Sequence, residues 1–211
     1  MRIKFILVIV GIMLAYTGWQ ELTLSRHAKD EPEEVKTADL EAGKIPENCH
    51  VVVKDAMALY PASVYHYKKS KFSVSKPTES TAITDALYPI ISKNHPFSKA
   101  MTSGNASDKE LDDALSTVGV IVKTKEFGTV GGIPTKMRDG VSLQGLILNH
   151  VEKLDSKDEK LLRSSFPNLD PAKVVILEEG RKPKGIAFSV GMMAGGVVLS
   201  ILALLAGSKK A

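Results

Sequence analysis

The chain is apolar at both ends and polar in between, and this pattern limits what it can fold into. Residues 5–19 and residues 186–206 contain no charged side chain. At 1.5 Å per residue, a helix over the second run is about 31 Å long, which matches the hydrocarbon core of a bilayer. A helix also satisfies its backbone amides internally, as that environment demands. The sequence therefore predicts a membrane-spanning helix at each end.

Four segments follow from these two helices. We predict a transmembrane helix or signal anchor at 3–19, a linker at 20–36, an exported domain at 37–183 and a transmembrane helix at 186–206. A cleaved signal peptide is the alternative for the first segment, because a basic start precedes a short apolar run. The small residues that signal peptidase needs are poorly placed there, which favours an uncleaved anchor.

The charge balance argues against nucleic acid as a partner. The chain has 28 Lys and Arg against 24 Asp and Glu, a net charge of +4. Four of the basic residues lie in the two short tails: Arg2, Lys4, Lys209 and Lys210. The domain between the helices is therefore neutral and has no net field to attract phosphate.

The same tails predict the orientation. Lys and Arg next to a span tend to stay in the cytoplasm, so we expect an inner-membrane protein with both termini inside and most of the chain on the outer face. The residues expected at the membrane interface are Trp19, Arg181, Lys182 and Lys184. The three basic residues of that set oppose this orientation mildly, since they precede the second span on its outer side.

No residue pattern predicts a metal site or a cofactor site. Cys49 is the single cysteine, so an intramolecular disulfide and a multi-thiolate metal site are both excluded. The five histidines stand singly in the sequence: His27, His50, His66, His95 and His150. His50 and His66 lie on predicted strands and can meet across a sheet, but isolated surface histidines are the commoner case. We therefore expect neither a metal ion nor a cofactor.

Catalytic motifs are also weak. Ser73 and Lys76 have S-x-x-K spacing, but the flanking residues favour a strand, whereas that motif needs a helix. The glycine-rich segment 128–132 lacks the spacing of a phosphate-binding or dinucleotide-binding loop. We therefore expect the protein not to be an enzyme.

Alternating and β-branched runs predict a β-rich domain. Strands are predicted at 49–59, 64–67, 71–74, 82–92, 118–123, 143–150 and 174–177. Short helices are predicted at 37–43, 107–116 and 156–165, the last two opened by the capping boxes that start at Ser107 and Ser156. Pro89 marks its strand as an edge strand or a bulged one. The predicted fold is α+β, a small barrel-like exported domain flanked by two transmembrane helices.

Several motifs resemble a family of uncharacterised bacterial two-span membrane proteins. They read ADL at 38–40, HV at 50–51, LQGLILN at 143–149, EKLLRSSFP at 159–167 and ILEEGRKP at 176–183. The resemblance implies two spans around an exported domain, and it implies no activity. A weaker resemblance is to the Surf1 family of cytochrome oxidase assembly factors. It rests on the two-span layout and on Trp19 followed by Gln20 at the exit of the first span.

The second span has small residues on one face. Ala187, Gly191 and Gly195 are spaced by four residues, so a helix brings them into line. Such a stripe lets a second helix approach closely in a membrane. We expect these three residues to pack against the first span or against a second copy of the chain.

These observations predict a membrane-anchored envelope protein without enzymatic activity. Its expected role is scaffolding, assembly or protein interaction. Its expected partners are the membrane, in which it is anchored, and a protein. A cofactor or oxidase assembly factor of the Surf1 kind is the alternative.

Overall fold

The computed structural model describes residues 2–67, 76–103, 107–148 and 154–205. The chain divides into two compact units. We call residues 1–30 and 182–211 the helical unit and residues 31–181 the barrel unit. The predicted strand at 71–74 and the end of the chain beyond 205 lie outside the described residues.

The helical unit contains helices α1 (Arg2–His27) and α6 (Ile186–Leu205). Both are long and apolar enough to cross a membrane, over Lys4–His27 and Ile186–Leu205. Helix α1 continues well past residue 19, where the first span was expected to end. Residues 20–27 contain neither glycine nor proline to end a helix, so this part of the expected linker is helical.

Helices α1 and α6 pack closely at Gly11 and Gly18 of α1 and at Gly196 of α6. At Gly196 of α6, a Cβ would lie 2.5 Å from the backbone nitrogen of Ala15 and from the backbone oxygen of Gly11. At Gly11 of α1, a Cβ would overlap the side chain of Ser200. An ion pair at the other end of the helices joins Lys184 Nζ to Glu21 Oε1 at 2.9 Å. The absence of side chains at the crossing therefore allows the backbones to meet.

The glycine face expected to pack is not the one that α1 contacts. Ala187, Gly191 and Gly195 are all exposed along α6. A Cβ at Gly191 or at Gly195 would meet no atom of the described residues within 4 Å. The first span uses the neighbouring Gly196 instead, and packing of the three-residue stripe against a second copy stays a prediction.

This difference predicts that two adjacent glycines respond differently to the same substitution. Gly196→Ile should separate α1 from α6, whereas Gly195→Ile should leave them together, because only the first side chain meets backbone. Disulfide formation between Val8→Cys and Ser200→Cys in native membranes measures the separation, since Ser200 Oγ lies 3.4 Å from the carbonyl oxygen of Val8. Equal disulfide yields in the two isoleucine variants would contradict this packing.

The barrel unit contains seven strands and four α-helices within its described residues. The strands are β1 (Glu33–Lys36), β2 (His50–Ala58), β3 (Val64–Tyr67), β4 (Ile83–Ile91), β5 (Val120–Thr124), β6 (Arg138–Ile147) and β7 (Val175–Glu179). The helices are α2 (Thr37–Glu41), α3 (Pro96–Ser103), α4 (Asp108–Leu115) and α5 (Ser156–Ser165). This composition confirms the predicted α+β class.

Five of the strands form a closed barrel. The sheet order is β1-β2-β6-β7-β5-β4-β3, and β4 also pairs with β2. The ring therefore runs β2-β6-β7-β5-β4 and returns to β2, while β1 and β3 are attached outside it. The β5–β7 pair is parallel, and the other pairs of the ring are antiparallel. The barrel-like architecture predicted from the strand pattern is confirmed.

A bulge in β2 allows the ring to close. Before the bulge, β2 pairs with β6 in the register Val53↔Leu143, and the register shifts before Ala56. Asp55 lies within the shift and has a φ of 56°, which is unusual for a residue other than glycine. A bulge bends a strand and increases its twist. The end of β2 thereby reaches β4 as well.

The sequence predicted that Pro89 marks an edge strand or a bulged one. Strand β4 is not an edge strand, since Pro89 pairs with Ile121 of β5, and its register against β3 shifts between Asp85 and Ile83, away from Pro89. Strand β4 pairs with β3 up to Leu87 on one side and with β2 from Ile90 onward on the same side. Pro89 falls between these two pairings, where no ladder hydrogen bond from its nitrogen is needed. Its carbonyl oxygen still accepts a hydrogen bond of 2.9 Å from the Leu59 nitrogen.

The sheet is buried on both faces because the barrel has a filled interior and helices outside. On β4, Tyr88 and Ile90 alternate with Leu87 and Ile91, and all four are buried. Leu87 and Ile91 face outward from the barrel and belong to a core that includes residues of three helices. That core contains Leu87, Ile91, Ile121 and Ile176 of the strands with Phe97, Ala114 and Leu162 of the helices. Both faces of β4, β5 and β7 are therefore apolar where the helices cover them.

Of the two predicted capping boxes, the one at the start of α4 forms and the one at the start of α5 does not. At α4, Ser107 and Glu110 form the predicted capping box, each side chain bonding the other's backbone nitrogen. At α5, the predicted box does not form, because the N-cap is Asp155 and its side chain accepts from the Lys157 nitrogen. A carboxylate one residue earlier takes the role assigned to Ser156.

Two elements were not expected. Strand β1 occupies the end of the predicted linker and pairs in parallel with β2 over Val35↔Val53. Helix α3 forms in a segment where the sequence predicted neither a helix nor a strand, and it buries Phe97 at 8% exposure. Tertiary pairing and burial stabilise both elements, and neither has a strong local signal.

Candidate functional site

A polar cleft lies on the outer face of the sheet, where the apolar core under the helices ends. His66 on β3 is paired in register with Asp85 on β4. Lys123 on β5 is paired with Leu87, two residues further along β4 on the same face as Asp85. The strand register therefore sets three polar side chains side by side.

Helix α5 adds a carboxylate from the opposite side of the cleft. Asp158 lies in the first turn of α5, two residues after Ser156 opens the helix. The unpaired backbone amides at a helix N-terminus favour a negative charge in that turn. Asp158 is 4% exposed, which makes it a buried carboxylate. Such a group needs polar partners.

Two side chains supply the partners of Asp158. Lys123 Nζ donates to Asp158 Oδ2 at 2.6 Å. His66 Nε2 lies 2.9 Å from the other oxygen, Asp158 Oδ1. Asp85 Oδ1 lies 3.9 Å from the same His66 nitrogen. The cleft thus contains an ordered row of charges around one buried carboxylate.

Hydrogen bonds and neighbouring charges in the cleft shift the pKa values of Lys123 and Asp155 toward their charged forms. Burial by itself lowers the pKa of Lys123, but the hydrogen bond to Asp158 and the charges of Asp158 and Asp85 outweigh it and raise that pKa above the usual lysine value. At Asp155, the hydrogen bond from the Lys157 backbone nitrogen lowers the pKa of the carboxyl. Lys123 therefore stays charged at any physiological pH.

One oxygen in the cleft has no donor. Asp85 Oδ1 is fully buried and accepts no hydrogen bond from any described residue. The cleft has a volume of about 300 Å³. Its lining residues are His66, Tyr67, Thr84, Asp85, Lys123, Asp155, Lys157 and Asp158. Buried oxygens without a donor are uncommon in folded proteins, so Asp85 indicates a site with room for a positively charged group.

The sequence analysis missed this cleft because its members are far apart along the chain. His66 and Asp158 are separated by 92 residues. The sequence analysis considered a pair of His50 and His66 and favoured isolated histidines; His50 Nε2 lies 3.1 Å from Gln144 Nε2 on β6. Knowledge of the register between β3 and β4 would have placed His66 beside Asp85, but no local sequence pattern reveals that register. His150 and Ser73 lie outside the described residues.

A second polar group lies on the inner face of the barrel. Tyr88 Oη donates to Glu179 Oε2 at 3.2 Å. The ring of Tyr88 lies 4.8 Å from that of Tyr60 and 6.3 Å from that of Phe127, measured between centroids. Burial raises the pKa of Glu179, and the nearby charge of Glu126 raises it further. Burial also raises the pKa of Tyr88.

Two of the four residues predicted to lie at the membrane interface, Arg181 and Lys184, form ion pairs within their own unit. In the barrel unit, Arg181 Nη1 lies 2.8 Å from Glu178 Oε2. In the helical unit, Lys184 is paired with Glu21, and its Nζ lies 5.9 Å from the ring centre of Phe188. Trp19 is 55% exposed and precedes the end of α1 by two helical turns. Lys182 is also exposed.

Comparison with protein-family models, with curated proteins and with solved structures finds no match. The two resemblances therefore rest on the motifs quoted above. The structure agrees with them at the level of two apolar helices around a mixed α+β domain.

The neighbouring carboxyls of β7 predict opposite pH effects on stability. The folded pKa of Glu179 is raised, so the unfolded state loses this proton first as the pH rises, and ionisation favours unfolding. Glu179→Gln should therefore raise the melting temperature at pH 7, and the gain should vanish as the pH falls below the usual glutamate range. Thermal unfolding of the full chain in mild detergent between about pH 3 and about pH 8 measures this, because these limits lie on either side of the reference glutamate pKa of about 4.3.

Glu178→Gln is the matched control. Burial raises the pKa of Glu178, but the bonds and charges of Arg181 and Lys125 outweigh it and lower that pKa overall. Its ionised form therefore stabilises the fold above the usual glutamate pKa, and that stability is lost as the pH falls. Glu178→Gln should lower the melting temperature at pH 7. The same sign of change in both variants would show that the two environments are wrongly assigned.

Proposed function

We propose that this chain is a membrane-anchored envelope protein without enzymatic activity that acts in scaffolding, assembly or protein interaction. Its place is the inner membrane, with the barrel unit on the outer face. The two apolar helices support the membrane anchor. The basic residues of the two tails support the orientation, because such residues tend to remain in the cytoplasm.

The observation that carries this proposal is a depression lined by methionines. Met57, Met101 and Met137 come from β2, α3 and the segment before β6, and together they line a depression of about 250 Å³. Methionine is flexible and polarisable, so a surface of this kind adapts to different apolar groups. The polar residues Ser98, Thr102 and Asp139 complete the lining.

The exposed apolar side chains of the barrel unit are concentrated there. Among the described residues of this unit, the exposed large hydrophobic residues are Ile45, Met101 and Met137. Two of the three line the depression, and the exposed fraction of Met101 is 44%. We infer that a protein partner inserts an apolar side chain between these methionines. A polar rim around an apolar centre is the usual layout of a protein interface.

A single labelling experiment tests both the orientation and the interface. Met101→Cys places a reactive thiol in the depression, and Ile45→Cys places one at an exposed apolar position outside it. The native Cys49 is fully buried, and burial raises its pKa, so it should not react. A membrane-impermeant maleimide carrying a photo-crosslinker is applied to intact spheroplasts.

We expect both variants to be labelled, and we expect the Met101→Cys variant alone to yield a defined crosslinked protein. Labelling that requires lysis would contradict the outer-face orientation. Efficient labelling of Met101→Cys without a crosslink, or the same crosslinks from both variants, would contradict the interface. Haem absorbance in the purified protein would instead favour the oxidase assembly factor of the Surf1 kind.

A further inference from the structure

Three possible metal ligands converge in the polar cleft. His66 offers Nε2, Asp85 offers Oδ1 and Asp158 offers a carboxylate oxygen, and these ligand atoms all lie within 4.8 Å of one another. They come from β3, β4 and α5, so their positions are set by rigid elements and not by loops. Ligands on regular elements are held more firmly than ligands on loops.

The spacing fits a small divalent ion after a slight adjustment. Zn²⁺ binds histidine nitrogen and carboxylate oxygen at about 2.0–2.2 Å, so two ligand atoms of a tetrahedral site lie about 3.3–3.5 Å apart. His66 Nε2 is 2.9 Å from Asp158 Oδ1 and 3.9 Å from Asp85 Oδ1. One distance is slightly shorter than required and the other slightly longer. The three ligand atoms lie within 4.8 Å of one another, so zinc binding requires Asp85 to move closer to His66 and Asp158.

Lys123 supports the site without occupying it. Its ammonium group bonds Asp158 Oδ2, which leaves Oδ1 directed at His66. Metal-binding carboxylates commonly have their second oxygen held by a neighbouring donor, which fixes the direction of the first. Lys123 also limits the charge, because two carboxylates and one ammonium give a net charge of −1 before a metal binds.

Asp85 supplies an independent indication. Its Oδ1 is buried, has no hydrogen bond from a described residue and faces the histidine nitrogen. The described residues leave this oxygen without a hydrogen bond, and a buried carboxylate oxygen costs free energy unless water or a cation reaches it. A cation between Asp85, His66 and Asp158 removes that cost.

The chemistry of the ligand set favours zinc over harder cations. Imidazole nitrogen suits Zn²⁺, whereas Ca²⁺ takes six to eight oxygen ligands and Mg²⁺ demands a near-ideal octahedron of oxygens. A zinc ion held by three protein ligands has a fourth position open to the cleft, whereas structural zinc sites are closed by four protein ligands. We propose that His66, Asp85 and Asp158 bind one Zn²⁺ ion in the polar cleft. This site is separate from the methionine-lined depression and goes beyond the proposed function.

Zinc binding by the untagged full chain in mild detergent tests the proposal. Competition with a chromophoric zinc indicator measures affinity and stoichiometry. We expect one equivalent of Zn²⁺ per chain. Asp85→Asn and His66→Gln should each weaken binding by at least tenfold, since even loss of an outer partner of a metal site costs about 10–100-fold. Asp85→Asn should keep the fold, because Asp85 Oδ1 accepts no hydrogen bond from a described residue that the substitution would break.

Matched controls separate this site from weak surface binding. His27→Gln removes an exposed histidine, and Asp113→Asn removes an exposed aspartate, both outside the cleft. Both should bind zinc as the wild type does. Co²⁺ should give the intense visible absorption of a four-coordinate site in the wild type and in both controls, and this absorption should disappear in His66→Gln.

The outcomes are decisive in either direction. The proposal is supported if zinc affinity falls in Asp85→Asn and His66→Gln but not in the controls, and if both cleft variants keep the circular dichroism spectrum of the wild type. If His66→Gln does not fold, Asp85→Asn decides alone. Absence of stoichiometric zinc binding, or equal affinity in Asp85→Asn and the wild type, would overturn the proposal. So would equal losses in the cleft variants and the controls.

Discussion

The pairing of β2 with β4 is the interaction on which the rest of the barrel unit depends. Without it, the seven strands would form an open sheet with β1 and β3 at its edges. The pairing covers Met57↔Ile91 and Ala58↔Ile90, and it is continued by the hydrogen bond from the Leu59 nitrogen to the Pro89 oxygen. Closure pairs the ends of β2 and β4 that β1 and β3 leave uncovered, and it encloses an apolar interior.

Closure also explains two features that are unfavourable locally. The positive φ of Asp55 and the shift of register beside it let β2 bend from β6 toward β4. Pro89 interrupts the hydrogen-bonding side of β4 at the place where its neighbour changes from β3 to β2. Each feature costs free energy in a regular strand, and each is tolerated because the ring needs a corner at that point.

The same arrangement positions the polar cleft. Because β4 exchanges β3 for β2 at Pro89, β3 remains outside the ring and presents His66 beside Asp85. Helix α5 then packs on the outer face through Leu162 and places Asp158, in its first turn, above these side chains. The cleft therefore lies where the covered part of the sheet ends and an attached strand begins. The side chains of the cleft come from β3, β4, β5 and α5, which are far apart along the chain.

The sequence predicted what local patterns determine. The valine-rich run at 51–53 and the run at 174–177 are buried strands, and the box at Ser107 caps a helix. The sequence did not reveal which strands close the ring, because closure depends on pairings distant along the chain. The sequence analysis did not identify Gly196 as the glycine that contacts α1. Gly195 and Gly196 are adjacent and identical in type, so only the packing of the helices shows which of them faces α1. The cleft was missed because its charges look like ordinary surface residues until the register is known.

Amide hydrogen exchange at the β2–β4 junction tests closure most directly. In the full chain in detergent micelles, NMR can follow the Leu59 amide, which lies beyond the last residue of β2 and bonds across the junction. The closed barrel predicts that Leu59 exchanges as slowly as Val122, which lies in β5 between two ring strands. Exchange of Leu59 at the rate of an unstructured peptide, with Val122 still protected, would show that the sheet is open and contradict the account.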